Sequence, residues 1–386
     1  MSLRLPGDPA PPPDRVEPIQ WLRGIAAMLV VFDHAALQAL ENDALLGGAW
    51  RSVLFEIAWL GGIGVDVFFV ISGFVMAMTA QRFWGFSGAG RFLLLRFNRI
   101  APLYYLLSLV LFADMIRASV AFGMDEVANT LTFVPIFNLD AYAWPIHYLG
   151  WTLAFEFVFY LVVAAFILAR LPTRTAFLLA AVCVLPLVGY VFTGRWIAWQ
   201  FLTSPMMWEF GFGIAAYIGY RKGVFGACAS LWRHAGLLAA VGVVAAAFVA
   251  PGMIGFAANG FLEPAGATVR ALGWGIPAFL MVAGMLAAGR AWPPTLAWLM
   301  RVVGDASYSI YLTHIFVVRL VLEAIQRDGL DVRLALLVVM LVSPFVGIAT
   351  YHWLERPLMR RGTRVIAWLI LRARPYKRRL RAMVYG

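Results

Sequence analysis

Apolar residues fill long stretches of the chain, and short polar segments break them at intervals. Ten of these stretches approach or reach the roughly 20 residues that a helix needs to cross a bilayer. They cover about 19–40, 60–80, 94–113, 149–169, 175–193, 204–220, 235–252, 270–289, 304–322 and 334–353. The connections are mostly short. The longest runs from Asp114 to Tyr148, with Asp125, Glu126 and a Pro-, Asn- and Trp-rich end. Segments 197–203 and 256–268 are polar enough to be loops or short interfacial pieces, and no period of 20–50 residues marks a repeat array. The pattern predicts an all-α, polytopic integral membrane protein of about ten transmembrane helices around a central cavity. The membrane domain, 19–358, lies between a Pro-rich, disordered tail, 1–18, and a basic tail, 359–386.

Composition supports lipid as the solvent. Of 386 residues, 62% are hydrophobic and 13% charged, against roughly 25% charged in an ordinary soluble domain. Twenty acids and 31 bases cannot coat a water-soluble body of this composition. A soluble enzyme, a disordered chain and a secreted disulfide scaffold are excluded. Cys183 and Cys228 are too few for a disulfide framework and lack metal-type spacing. Leu5 to Pro18 holds six prolines and no apolar core, so it is not a signal peptide, and the first span doubles as the targeting signal.

The net charge of +11 fixes an orientation. With the N-terminus in the cytoplasm and ten alternating spans, 23 Lys and Arg fall on the cytoplasmic side and 6 outside. That is the asymmetry expected of inner loops, and it puts both termini in the cytoplasm. The last stretch, Arg372 to Arg381, is placed to lie on anionic lipid. Such tails are routine in membrane proteins, so no nucleic-acid partner is inferred.

A chain so poor in charge makes its in-span ionisable groups conspicuous, because each needs a partner or a cavity. Asp33, Asp66, Glu156, Glu209 and Asp305 are the acids there, joined by His34, His314 and His352. Arg23 and His34 are eleven residues apart, about 20° past three full turns, so they share a helix face with about 16 Å of rise between them. Arg23 falls near the cytoplasmic mouth, where it could equally snorkel to headgroups. Arg96 and Arg99 lie on one side of a helix start; two guanidiniums there suit phosphate groups, or simple positive-inside anchoring. Glu156, one to two turns into its helix from Tyr148, matches His34 in depth and is placed to orient its imidazole. Ser307, Tyr311 and His314 share a face of the ninth span, with His314 at the depth of His34. Glu209 lies near the outer end of the sixth span, Asp305 reads as a helix-start residue, and His352 and Glu355 read as interfacial anchors.

In combination these segments resemble the acyltransferase-3 family of integral membrane acyltransferases, most closely its exopolysaccharide-modifying branch. The resemblance rests on Arg23 with Asp33-His34, Gly64-Val65-Asp66 through Gly73-Phe74, and Arg96-Phe97-Asn98-Arg99. It continues through Trp151-Thr152-Leu153 to Glu156, Gly304-Asp305 through Tyr308, Tyr311 and His314, and Glu355-Arg356-Pro357. These six segments run in order from about 18 to 358. The resemblance implies transfer of an acyl group, most simply acetyl from cytoplasmic acetyl-CoA, to a sugar hydroxyl of a surface polysaccharide or its lipid-linked precursor at a bacterial inner membrane. On that reading Arg23, Arg96 and Arg99 hold the CoA phosphates. His34 is the general base or an acyl relay, with Glu156 as its partner. Asp33, Glu209, Ser307, Tyr308, Tyr311 and His314 line the acceptor side, and no metal is involved. A proton-coupled transporter or flippase for a lipid-linked glycan is the competing expectation, since a cavity with His, Glu and Arg suits it too.

Overall fold

The computed structural model describes residues 16–41, 54–55, 57–134, 142–170, 174–249, 261–289, 293–328 and 331–385. Among these residues the chain is helical and contains no strand. In hydrocarbon the main chain must satisfy its own polar groups, which an apolar run does as a helix. The long helices are α1 (Glu17–Glu41), α2 (Ile63–Ala80, entered through a tight turn at Trp59–Gly62), α3 (Gly85–Arg117) and, after the short α4 (Met124–Thr132), α5 (Gly150–Ala169). Then follow α6 (Arg174–Val191), the short α7 (Ile197–Thr203), α8 (Met207–Arg221), the single turn α9 (Val224–Ala227) and α10 (Ala229–Val249). The last part of the chain forms α11 (Pro264–Gly273), α12 (Gly275–Ala288), α13 (Pro294–Asp305), α14 (Ser307–Asp328), α15 (Val332–Thr350) and α16 (Arg356–Tyr385).

Among the described residues seven helices are long and apolar enough to cross a membrane, against the ten stretches expected. The stretch 175–193 is α6, whose apolar run Thr175–Val191 is shorter. The stretch 204–220 shrinks to the 15 residues of α8. The stretch 304–322 lies largely in α14, whose apolar run is broken by Arg319, Glu323 and Arg327. The Pro-rich tail falls mostly outside the described residues, and α1 already begins at Glu17, inside it. The expected basic tail is a continuation of helix. Pro357 has no N–H, and Arg356 N–H reaches back five residues to Tyr351 O, which widens Tyr351–Glu355 into a π-turn before α16.

α2 is the central element, with most of its side chains buried, including Asp66, Phe69, Ile71, Ser72 and Phe74. α1, α5, α8 and α12 surround it. Two glycines set the distances around α1. A Cβ on Gly64 of α2 would collide with Ala26 O, and one on Gly304 of α13 would collide with Gln20 O. Only hydrogen side chains admit such backbone approaches, and they bring α2 and the start of α14 against the face of α1 that carries Arg23 and His34. The outer surface is apolar, with Leu109, Leu237, Leu238 and Phe345 exposed, as suits a lipid boundary.

Candidate active site

A cavity opens between α1, α2, α3, α5 and α14. Its cationic end is formed by Arg23, Arg96 and Arg99, and its throat by Val65, Phe68 and Met76. Arg23 Nε donates to Ser307 Oγ (3.2 Å). Arg99 is tied down: Nη1 pairs with Glu355 Oε1, while Ser309 Oγ donates to Glu355 Oε2 (2.5 Å). Its guanidinium lies 5.4 Å above the Tyr308 ring, and Tyr308 OH donates to Ile100 O (2.8 Å). Arg96 lies 5.7 Å over the Phe92 ring, and its Nε is buried without a hydrogen-bond partner among the described residues. Of the Arg-x-x-Arg pair, Arg96 is therefore the guanidinium with unused donor capacity.

Glu156 belongs to this end. Its Oε1 accepts from Ser72 Oγ (2.9 Å) and Tyr160 OH (2.5 Å), and it lines the same cavity as the three arginines. The expected pairing of Glu156 with His34 is corrected accordingly. Thr152, one turn before Glu156 on α5, already contacts Tyr311 (Oγ1 to OH, 2.8 Å), and Tyr311 precedes His314 by three residues on α14. Glu156 thus lies about two turns short of the histidine level. The contact lies at the far end of the cavity, where Tyr311 OH also donates to Leu149 O (3.1 Å) and Phe68 packs edge-on at 6.1 Å.

Beyond this bar lie the histidines. The His34 and His314 rings meet with centroids 5.0 Å apart and planes at 63°. His34 Nδ1 lies 3.0 Å from Val30 O and 3.7 Å from Asp33 Oδ2. Tyr148 flanks it at 5.7 Å. The carboxylate beside His34 is therefore Asp33, its neighbour in sequence. His34 is partly open, with 23% of its side chain exposed, whereas His314 is fully buried.

His147 joins this end without having been anticipated, because it lies outside every apolar run. It is fully buried, its Nε2 lies 3.1 Å from Leu312 O, and its ring packs on Tyr104 (5.6 Å). Burial pushes its imidazole down to about 4, with the positive field of a protonated His34 adding to the effect.

The remaining expected residues are placed elsewhere. Ser307 and Tyr308 are engaged at the arginine end as described. Glu209 does not line the cavity: it is fully buried near Asp66 and Arg270, and its two carboxylate oxygens have no partner among the described residues. Arg270, at the edge of the stretch 270–289, forms a two-pronged buried pair with Asp66 (3.1 Å for each prong). Asp305 ends α13 rather than starting α14. Glu355 is 1% exposed and bridges Arg99 and Ser309, so it is a buried strut and not an interfacial anchor. His352, in the same π-turn, is exposed.

The model of an acyltransferase domain family, acyltransferase-3, matches residues 17–353, most of the chain. The chain belongs to the acyltransferase-3 family. It is 33% identical over 329 residues to the exopolysaccharide production protein ExoZ of Rhizobium meliloti (strain 1021), covering 81% of this chain and 95% of that protein. It is 28% identical over 343 residues to the acyltransferase MdmB of Streptomyces mycarofaciens, covering 79% of each. No solved structure matches the chain. The matched region includes every residue of the arginine and histidine ends except Glu355.

Proposed function

We propose that the protein moves an acyl group, acetyl in the simplest case, from cytoplasmic acyl-CoA to a hydroxyl of a sugar in a surface polysaccharide or its lipid-linked precursor. The observation that supports this most directly is a cavity that joins three guanidiniums to an apolar lining and reaches Tyr311, one turn of α14 from the His34–His314 pair. Guanidiniums at one end suit the phosphates of a soluble donor. The apolar throat suits the pantetheine arm, and Arg23 and His34 are eleven residues apart on α1, so the arm crosses about 16 Å to reach the imidazole.

In this reading the His34 Nε2 lone pair takes the proton of the acceptor hydroxyl. The hydroxyl oxygen bonds to the acyl carbon as the carbon–sulfur bond breaks, and the imidazolium returns the proton to the leaving thiolate, which restores neutral His34. Asp33 steadies the imidazolium. ExoZ is named for exopolysaccharide production, which supports a polysaccharide acceptor. The test is purified protein with radiolabelled acetyl-CoA and a panel of glycans. Transfer of label to glycan supports the reading. Glycan movement across vesicles without acyl transfer would replace it with a transporter.

A further inference from the structure

Outside the cavity, the described residues bury a charged cluster that acyl transfer leaves without a role. Asp66 of α2 and Glu209 of α8 are fully buried, and Arg270 of α11 is nearly so. Arg270 Nε donates to Asp66 Oδ1 and its Nη2 to Asp66 Oδ2, each at 3.1 Å. The guanidinium lies 5.7 Å over the Trp151 ring, at the start of α5. Both Asp66 oxygens are therefore engaged. Glu209 meets Asp66 carboxyl to carboxyl, and neither Glu209 oxygen has a hydrogen-bond partner among the described residues. It has no room to turn away, since a Cβ on Gly275 of α12 would lie 2.8 Å from its Cγ. Two carboxylates can only accept, so this contact needs a hydrogen on one of them. Asp66 is committed to Arg270 as the anion, which leaves the hydrogen to Glu209.

The cluster reaches His34 through the turn at Trp59–Gly62. Arg270 Nη2 also donates to Gly62 O (3.4 Å). The N–H of Gly62 donates to the Asp33 carboxylate, which Arg270 also attracts directly. Asp33 Oδ2 lies 3.7 Å from His34 Nδ1. Gly62 is thus held from both sides, by a guanidinium at its oxygen and by a carboxylate at its nitrogen. The turn has no slack toward α1, because a Cβ on Gly61 would collide with Leu29 O and Asp33 Cβ. Such a continuous, packed chain of contacts can carry a displacement from α11 to the imidazole.

We propose that Arg270 is a positioning residue for His34: clamped by Asp66 and a protonated Glu209, it holds Gly62 and so presents the Asp33 carboxylate to the imidazole. What His34 then does rests on the acyl-transfer reading, whereas the coupling stands on the contacts. None of Asp33, Asp66, Glu209 and Arg270 lines the cavity, so the clamp is separate from the arginine end. The other titratable groups that face His34 are His314 of α14 at 5.0 Å, Tyr148 at 5.7 Å and His147, and all three stay unaltered in the variants below.

The experiment uses the full chain, labelled with 15N-histidine, in lipid nanodiscs at neutral pH. His34→Asn assigns the ring signals of His34, and Asp33→Asn shows them without the neighbouring carboxylate. The double variant Asp66→Asn with Arg270→Gln removes the clamp and leaves no buried charge of the pair uncompensated. It should move the His34 signals toward those of Asp33→Asn and add nothing in the Asp33→Asn background. Arg270→Lys, which keeps the charge but lacks the fork, reads the same coupling if the double variant does not fold. Glu209→Gln keeps a donor for Asp66 and should hold the wild-type signals, whereas Glu209→Leu should move them. With 13C-glutamate, the infrared carbonyl band of a protonated acid should be present in the wild type and lost in Glu209→Gln. Unmoved His34 signals, equal changes with and without Asp33, or no such band overturns the proposal.

Transfer kinetics with radiolabelled acetyl-CoA give the second readout. The double variant should lower kcat about tenfold or more, as a misplaced base does. KM for acetyl-CoA should stay within about twofold, because Arg23, Arg96 and Arg99 are untouched. In the Asp33→Asn background the same two substitutions should cause no further loss. A raised KM with unchanged kcat overturns the positioning role. Coupled His34 signals in a protein that transfers no label would overturn the acyl-transfer reading and leave the coupling standing.

Discussion

His147 makes a prediction that does not depend on any substrate. Its ring is fully enclosed, with Tyr104 on one side and Leu312 O as the partner of Nε2. Burial lowers its imidazole from 6.5 to about 4, so the folded chain binds this proton less readily than the unfolded one. The stability that follows is fully present above pH about 6.5 and is lost as the pH falls toward about 4. The gap between the two values is worth about 3 kcal/mol at 1.36 kcal/mol per pH unit, as an upper bound. The perturbation is His147→Gln, whose amide keeps a donor for Leu312 O but does not titrate. Unfolding of the nanodisc-embedded protein, followed by tryptophan fluorescence across this pH range, gives the slope. The wild type should lose more stability on acidification than the variant, by up to about 3 kcal/mol. Parallel slopes would refute the claim that a neutral, buried His147 is part of the fold.

Three further outcomes follow from the packing and the cavity. Glu355→Ala leaves Arg99 without its counter-ion and Ser309 without its acceptor; because Arg99 is partly exposed, the cost should be about 2–3 kcal/mol, below the full penalty for breaking a buried pair, and thermal unfolding reads it. Arg96→Ala should weaken CoA binding in calorimetry by about tenfold or more, the loss of one charge-assisted contact, with an unchanged melting temperature. Gly304→Val should cost several times more stability than Gly242→Val, because the first position abuts Gln20 O and the second faces open space.

Much of the architecture is legible along the chain, and its failures have physical causes. The meeting of His34 and His314 follows from counting turns on two apolar helices. The same counting misplaces Glu156, because helix ends do not share a plane. The segment before α5 dips into the bundle, burying His147, Leu149 and Gly150, so α5 starts deep and its residues lie nearer the arginine end than a count from the surface suggests. Arg270 stands at the edge of an apolar stretch with no partner nearby in sequence, yet α11 buries it and directs it to Asp66. Glu355 looks like an anchor because the π-turn that carries it inward comes from Pro357, a residue whose effect on the preceding turn has no hydropathy signature. His147 has no periodic signal at all: it sits in a Trp-Pro-Ile-His connection, and only the fold brings it to Leu312.

The central claim is that His34, reached from the arginine cavity, performs acyl transfer. The most direct measurement is single-turnover transfer from radiolabelled acetyl-CoA to glycan by purified wild type and His34→Ala, with CoA affinity measured alongside. Loss of a general base should lower the transfer rate about 10²–10⁴-fold while CoA affinity stays within about twofold, since the Arg23, Arg96 and Arg99 end is untouched. Transfer by His34→Ala at the wild-type rate would contradict the account.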